Sequence, residues 1–188
     1  MAGFFILGQN CFMYPVDLSR VPSYYHNYIS QVRIDNLMKA FDTYTTEWLD
    51  FLNSIPEEKW DYAYTEGKWT IKELVQHIID GERIFAYRAL RMARKDQTPL
   101  PGFEENDYAV NSKSERRTKE DLIEETQLVR KSTIKLFENF DEEQLESEGV
   151  ASGSSTYVKA IGFIIVGHAK HHQNIMEERY LNKKASAV

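Results

Sequence analysis

Cysteine is nearly missing from this chain: Cys11 alone stands among 188 residues. That excludes an internal disulfide and a metal site built from several thiolates, and it suits a reducing compartment, the cytoplasm by default. Basic charge is short as well, with 23 Lys and Arg against 29 Asp and Glu and a formal net charge of -6. Binders of nucleic acid usually present a basic face, so no nucleic-acid partner is expected. Apolar runs fall short of the roughly 20 residues that cross a bilayer, and no membrane association is expected. The opening MAGFFILGQNCF lacks a basic start and a small-residue cleavage site, so it does not read as a signal peptide. Residues 1–12 are read as a loose arm or a misassigned start, and no functional role is placed on them.

Strand-like alternation of useful length is also lacking, as is any repeat of about 20 to 50 residues. What the chain does have is 42% hydrophobic residues and 13% aromatics, a composition that buries a core rather than staying disordered. The length suits a single domain. It is placed over residues 21–182, between an N-terminal arm, 1–20, and a C-terminal tail, 183–188.

Four stretches carry helical periodicity. Ile34, Leu37, Met38, Phe41, Trp48 and Leu52 share one face of a first helix, ended by Pro56. A second starts at Thr70, where TIKE offers a capping box with Glu73, and is expected to reach about Lys95. The segment DQTPLPGFEEND, with two prolines and a glycine, then forms a long loop able to cover a site. A third helix opens near Thr118, with acids in its first turn and Leu122, Thr126, Val129, Thr133, Leu136 and Phe140 on one stripe. After the break at ASGSS a last helix, from about Thr156 to Leu181, is nearly all apolar through VKAIGFIIVG. The expected class is therefore all-α, a four-helix bundle with long crossover connections, an architecture that builds metal and ligand sites from facing helices.

Three of the five histidines fall in GHAKHHQNIMEERY. His168 and His172, four residues apart, lie about 40° apart around a helix and can reach one ion. Their stripe, with Ile161, Ile164, Ile165, Ile175 and Arg179, should face the core. His77 sits likewise on the second helix with Leu74, Gly81, Ile84 and Arg88. A lone inward histidine is usually satisfied by one hydrogen bond. Three together, each costing about 1 to 3 kcal/mol if buried unpartnered, point instead to a shared divalent cation. Imidazole suits zinc, nickel, copper or iron, with zinc and nickel leading. Three protein ligands leave a position for substrate. Gly81 either makes room there or allows close helix packing. His171 falls at the stripe edge, outside the ligand set, and His26 reads as structural. The basic cluster RALRMARK reads as a solvated face that complements the helix dipole.

The segments GKWTIKELVQHIIDGERIFAYRALRMAR, PLPGFEENDYA and GHAKHHQNIMEERYL, in this order and spacing, resemble the DinB-like proteins, relatives of the YfiT-like metal-dependent hydrolases. With RVPSYYHNYI the resemblance extends from about Val21 to Leu181. It implies a crossover four-helix bundle, commonly a homodimer, with a histidine triad for a divalent metal at His77, His168 and His172. It also implies chemistry of two kinds: thiol-dependent transfer or isomerisation with bacillithiol, mycothiol or similar thiols, and hydrolysis.

The leading expectation is a metal-dependent enzyme that moves a low-molecular-weight thiol onto a small electrophilic substrate. Arg88 and Arg179 are candidates to meet an anionic substrate, or to neutralise acids at the core edge. In the alternative, hydrolysis, Asp80 or Glu73 would take a proton from activated water. A third reading is a non-catalytic, metal-stabilised, stress-related binding bundle.

Overall fold

Each of the first three long helices begins at a residue able to cap it. In the computed structural model, which describes residues 15–182, a short helix α1 (His26–Ile29) precedes α2 (Leu37–Ser54). The Asn36 side chain accepts from the Lys39 N–H at 2.9 Å, so α2 starts three residues later than the apolar pattern of Ile34 suggested. Helix α3 (Ile71–Ala93) opens with the expected capping box. Thr70 Oγ1 accepts from the Glu73 N–H, and the Glu73 carboxylate accepts from the Thr70 N–H at 2.7 Å.

The Pro-rich segment is not a bare loop, because Glu105–Ser112 form a helix, α4. Helix α5 (Lys119–Phe137) is capped by Thr118, and a single turn, α6 (Glu142–Leu145), follows at Asp141. Next comes an antiparallel hairpin, β1 (Glu148–Ala151) with β2 (Ser154–Tyr157), which the sequence reading had not foreseen. Its two-residue loop, Ser152–Gly153, has φ of 52° and 75°, the left-handed pair that matches strand twist in a tight hairpin. The last helix, α7 (Val158–Ile175), therefore starts after the hairpin, two residues beyond Thr156.

The bundle consists of α2, α3, α5 and α7. Helix α7 packs on α2 and α3, and α5 packs on the same two. The consecutive helices α2 and α3 thus stand at opposite corners, as do α5 and α7, which is why the connections must cross over. Trp60, fully buried in the connection after α2, and the partly buried Trp69 close one end of the core. Short α1 lies directly on α7 at Gly167, where a Cβ would come within 2.1 Å of the Tyr28 carbonyl oxygen. Only glycine permits that approach.

Of the expected arm, residues 15–20 are not loose: Val16 is buried, the Asp17 N–H donates to the Tyr157 hydroxyl at 2.8 Å, and Arg20 pairs with Glu146 and Glu148. Residues 1–14, with Cys11, and the tail 183–188 lie outside the described residues. No helix among the described residues is long and apolar enough to cross a membrane.

Candidate metal centre

Helices α3 and α7 bring His77, His168 and His172 together where their inward stripes meet. The Nε2 atoms of His77 and His172 each lie 3.0 Å from Nε2 of His168, and the ligand atoms of all three lie within 4.8 Å of one another. His168 and His77 are buried and His172 nearly so. Burial holds the imidazoles neutral, pushing His77 down to about 4 and the other two well below the ordinary histidine range.

Hydrogen bonding alone satisfies this arrangement badly. His168 Nε2 faces two other Nε2 atoms, yet one ring nitrogen either donates one proton or offers one lone pair. A divalent ion accepts all three lone pairs, and ligands bonded tetrahedrally at about 2.0–2.1 Å stand about 3.3 Å apart, close to the spacing at His168. The donor set therefore fits such an ion. Outer contacts orient the rings: Trp69 lies against His77 with centroids 5.0 Å apart, and Tyr28 lies edge-on to His168 at 5.2 Å. His172 Nδ1 is buried with no hydrogen-bond partner among the described residues.

His171 is outside the triad, as its phase indicated; its Nδ1 faces the side-chain amides of Gln31 and Asn27. His26 is structural, its Nε2 lying 2.9 Å from the Val21 carbonyl.

Two cavities adjoin the triad. One, of about 380 Å³, reaches His77 and His168 and extends along α3 past Gly81 and Phe85 to Arg88. The other, of about 240 Å³, reaches His172 and is bounded by Trp69, Tyr180 and Arg179. The start of α4 serves both, with Glu105 on the larger and Asn106 on the smaller. The segment expected to cover a site therefore does so.

The candidate acids are placed differently from the reading above. Glu73 is committed to the helix cap. Asp80 accepts from the Gln76 amide at 3.0 Å and faces Arg83 and the Glu125–Arg117 cluster, with burial raising its carboxyl. Neither belongs to the converging group. The carboxylate that does line the larger cavity is Glu105, an exposed residue whose carboxyl is raised by desolvation against the cavity wall. Sequence gave no periodic signal for it beyond its place in the covering segment.

The arginines also part company. Arg88 is buried, against the expectation of a solvated basic face for its cluster, whereas Arg179 is exposed with its Nη1 at 3.3 Å from the Tyr64 hydroxyl. The cause lies in Met176–Tyr180, a π-turn, which adds a residue to the turn and shifts the helical phase. Tyr180 therefore faces inward where the α-helical stripe had placed Arg179, while Ile175 still packs against the core beside buried Met176.

A crossover bundle with an inward histidine triad on facing helices defines a class of candidate ion-binding helical proteins. The chain belongs to the DinB superfamily, which residues 40–176 match. A protein of Oceanobacillus iheyensis, named as a candidate metal-dependent hydrolase, is 27% identical over 142 residues, covering 74% of this chain and 80% of its own. The solved structure of YfiT from Bacillus subtilis, described as a probable metal-dependent hydrolase with an unusual four-helix bundle topology, gives a TM-score of 0.70. At 13% identity, over 79% of this chain and 86% of that one, this second likeness bears on the fold.

Proposed function

We propose that the protein is a metal-dependent enzyme that holds one divalent ion, zinc or nickel, on His77, His168 and His172 and transfers a low-molecular-weight thiol to an electrophile. The convergence of three buried Nε2 atoms carries this reading. When bound, such an ion supplies Lewis acidity and lowers the pKa of an added ligand. The chain's own residues supply the rest. Burial keeps the imidazole lone pairs free for coordination, and the aromatic walls of Tyr28, Phe85 and Trp69 limit water at the triad. Glu105, at the cavity beside His77 and His168, is placed to take a proton from an incoming nucleophile. Two cavities adjoin the triad, one at His172 and the other at His77 and His168, which favours two reactants, and hence transfer, over one reactant and water.

Hydrolysis is the second reading, favoured by the names of the two relatives above. Thiol dependence separates the two. Elemental analysis of the purified protein is expected to give about one zinc or nickel per chain, with His168→Ala and His172→Ala each losing it. Incubating the metal-loaded protein with electrophiles and a panel of small thiols should show conjugation that needs both thiol and metal. An absence of stoichiometric metal, or unchanged metal in both variants, rules out the centre; turnover that proceeds equally without thiol selects hydrolysis.

A further inference from the structure

Arg88 is a buried cation that faces no carboxylate among the described residues; the Tyr25 hydroxyl, which it hydrogen-bonds, and the Phe85 ring, 5.9 Å from its guanidinium carbon, are neutral neighbours. Arg88 is only 4% exposed, and its Nη2 donates to the Pro101 carbonyl at 3.0 Å and to Ser152 Oγ at 2.8 Å. Both acceptors are neutral, and no carboxylate among the described residues makes an ion pair with it, although Glu82–Arg130 and thirteen other acid–base pairs among those residues show that the fold pairs its arginines and lysines freely where it can. A buried guanidinium without a counter-charge is costly, so its retention needs a reason. Tethering the Pro101 and Ser152 loops uses the two Nη2 hydrogens and needs only a neutral donor, whereas the guanidinium brings a full charge and further N–H groups able to meet a carboxylate.

Position supplies that reason. His77, Gly81, Phe85 and Arg88 lie on successive turns of α3 and all line the 380 Å³ cavity. Its walls between the triad and Arg88 are Tyr24, Tyr25, Tyr28, Phe85 and Phe103. Eleven residues separate His77 from Arg88, about 16 Å along the axis at about 1.5 Å per residue. The cavity is thus an aromatic trough with the imidazoles at one end and a lone buried cation toward the other, within the size range of small-ligand sites. Glu105 lines the same trough without pairing with Arg88.

We infer that Arg88 is the anchor for a carboxylate on an elongated, apolar-bodied substrate, and so fixes which electrophiles lie with their reactive end toward the histidine triad. This rests on the enzyme reading only in taking the triad as the reacting end. Arg88 is a positioning and specificity residue, since it stands away from the reacting atoms.

Isothermal titration of the full chain with 4-phenylbutyrate and its neutral isostere 4-phenylbutyramide tests this, in zinc-loaded and chelator-treated protein. Wild type is expected to bind the acid about ten-fold or more tighter than the amide, in both metal states, because the guanidinium and not the ion sets the preference. Arg88→Gln should remove that preference while leaving amide affinity unchanged, and Arg88→Lys should restore part of it. Should Arg88→Gln fold poorly, the Arg88 side-chain NMR signal of labelled wild type decides: it is expected to shift with the acid and not with the amide. Equal affinities in wild type, binding of neither probe, or a preference that survives Arg88→Gln overturns the inference. A preference present only with zinc assigns the anion to the ion and also overturns it. A chain that takes up no metal but discriminates through Arg88 sinks the enzyme reading and leaves this one standing.

Discussion

Gly81 faces the triad so closely that a single methyl group there would be felt. A Cβ at this position meets His168 Cε1 at 3.3 Å, tight enough to press the ring aside by a few tenths of an ångström. Within a helix, glycine to alanine otherwise gains about 0.5–1 kcal/mol. Gly81→Ala is therefore expected to leave the melting temperature of the metal-free protein unchanged or raised, while zinc affinity falls about ten-fold. Unchanged zinc affinity would mean that the glycine serves helix packing alone. At this scale the sequence was informative for histidines, because phase on a regular helix separates His168 and His172 from His171. It was uninformative for Glu105, which lies in a segment without periodicity, and misleading for Arg179, because nothing in the apolar pattern marks the π-turn that rotates it outward.

Helix α5 is where an element hid its most consequential residue. Its apolar stripe located Leu122, Thr126 and Thr133, all buried, but Arg130 is buried too. Arg130 forks onto both carboxylate oxygens of Glu82, at 2.8 and 3.1 Å from Nε, and Nη1 reaches Thr45 at 3.0 Å. Each partner alone reads as a solvated charge; only the packing of α3 on α5 shows that they complete one another. Arg130→Met leaves a carboxylate buried without its partner and is expected to destabilise by about 3–5 kcal/mol. Chemical denaturation should show this, with Glu82→Leu added in the same chain recovering much of the loss. If Arg130→Met alone unfolds no more readily than wild type, the pair is not a determinant of stability. The hairpin escaped for a related reason: four-residue strands are too short to show alternation, and their pairing is set by the Ser152–Gly153 turn. The four long helices, by contrast, were readable, because each shows helical periodicity and three of them start at a side-chain cap that the sequence displays, whereas short α1 and α4 were not.

For the molecule as a whole, an ion on the triad would tie α3 to α7 across 91 residues of sequence. Ligand that binds only the folded state stabilises it, by about 2.7 kcal/mol when free ion is 100 times its dissociation constant. Chelation is accordingly expected to lower the melting temperature and zinc or nickel to restore it. In the chelated protein the sign of the pH effect is fixed by the neutral imidazoles. The unfolded chain protonates them near 6.5, while folding holds His77 down to about 4, so the unfolded state binds more protons between these values. Stability should fall as pH drops through that window. Melting curves that ignore both chelator and pH would contradict a buried, coordinating triad.

The diagonal placement of α2 and α3 also bears on how the chain meets water while it is being made. The first two long helices of an up-and-down bundle can pair as soon as both emerge from the ribosome. Here each must wait for α5 and then for α7, whose first residue is Val158. At about 5–20 residues per second, the apolar faces of the amino-terminal half stay uncovered for on the order of several seconds. Vectorial synthesis therefore exposes this bundle to chaperones and to aggregation for longer than its size alone implies, and the histidines meet only in the final act.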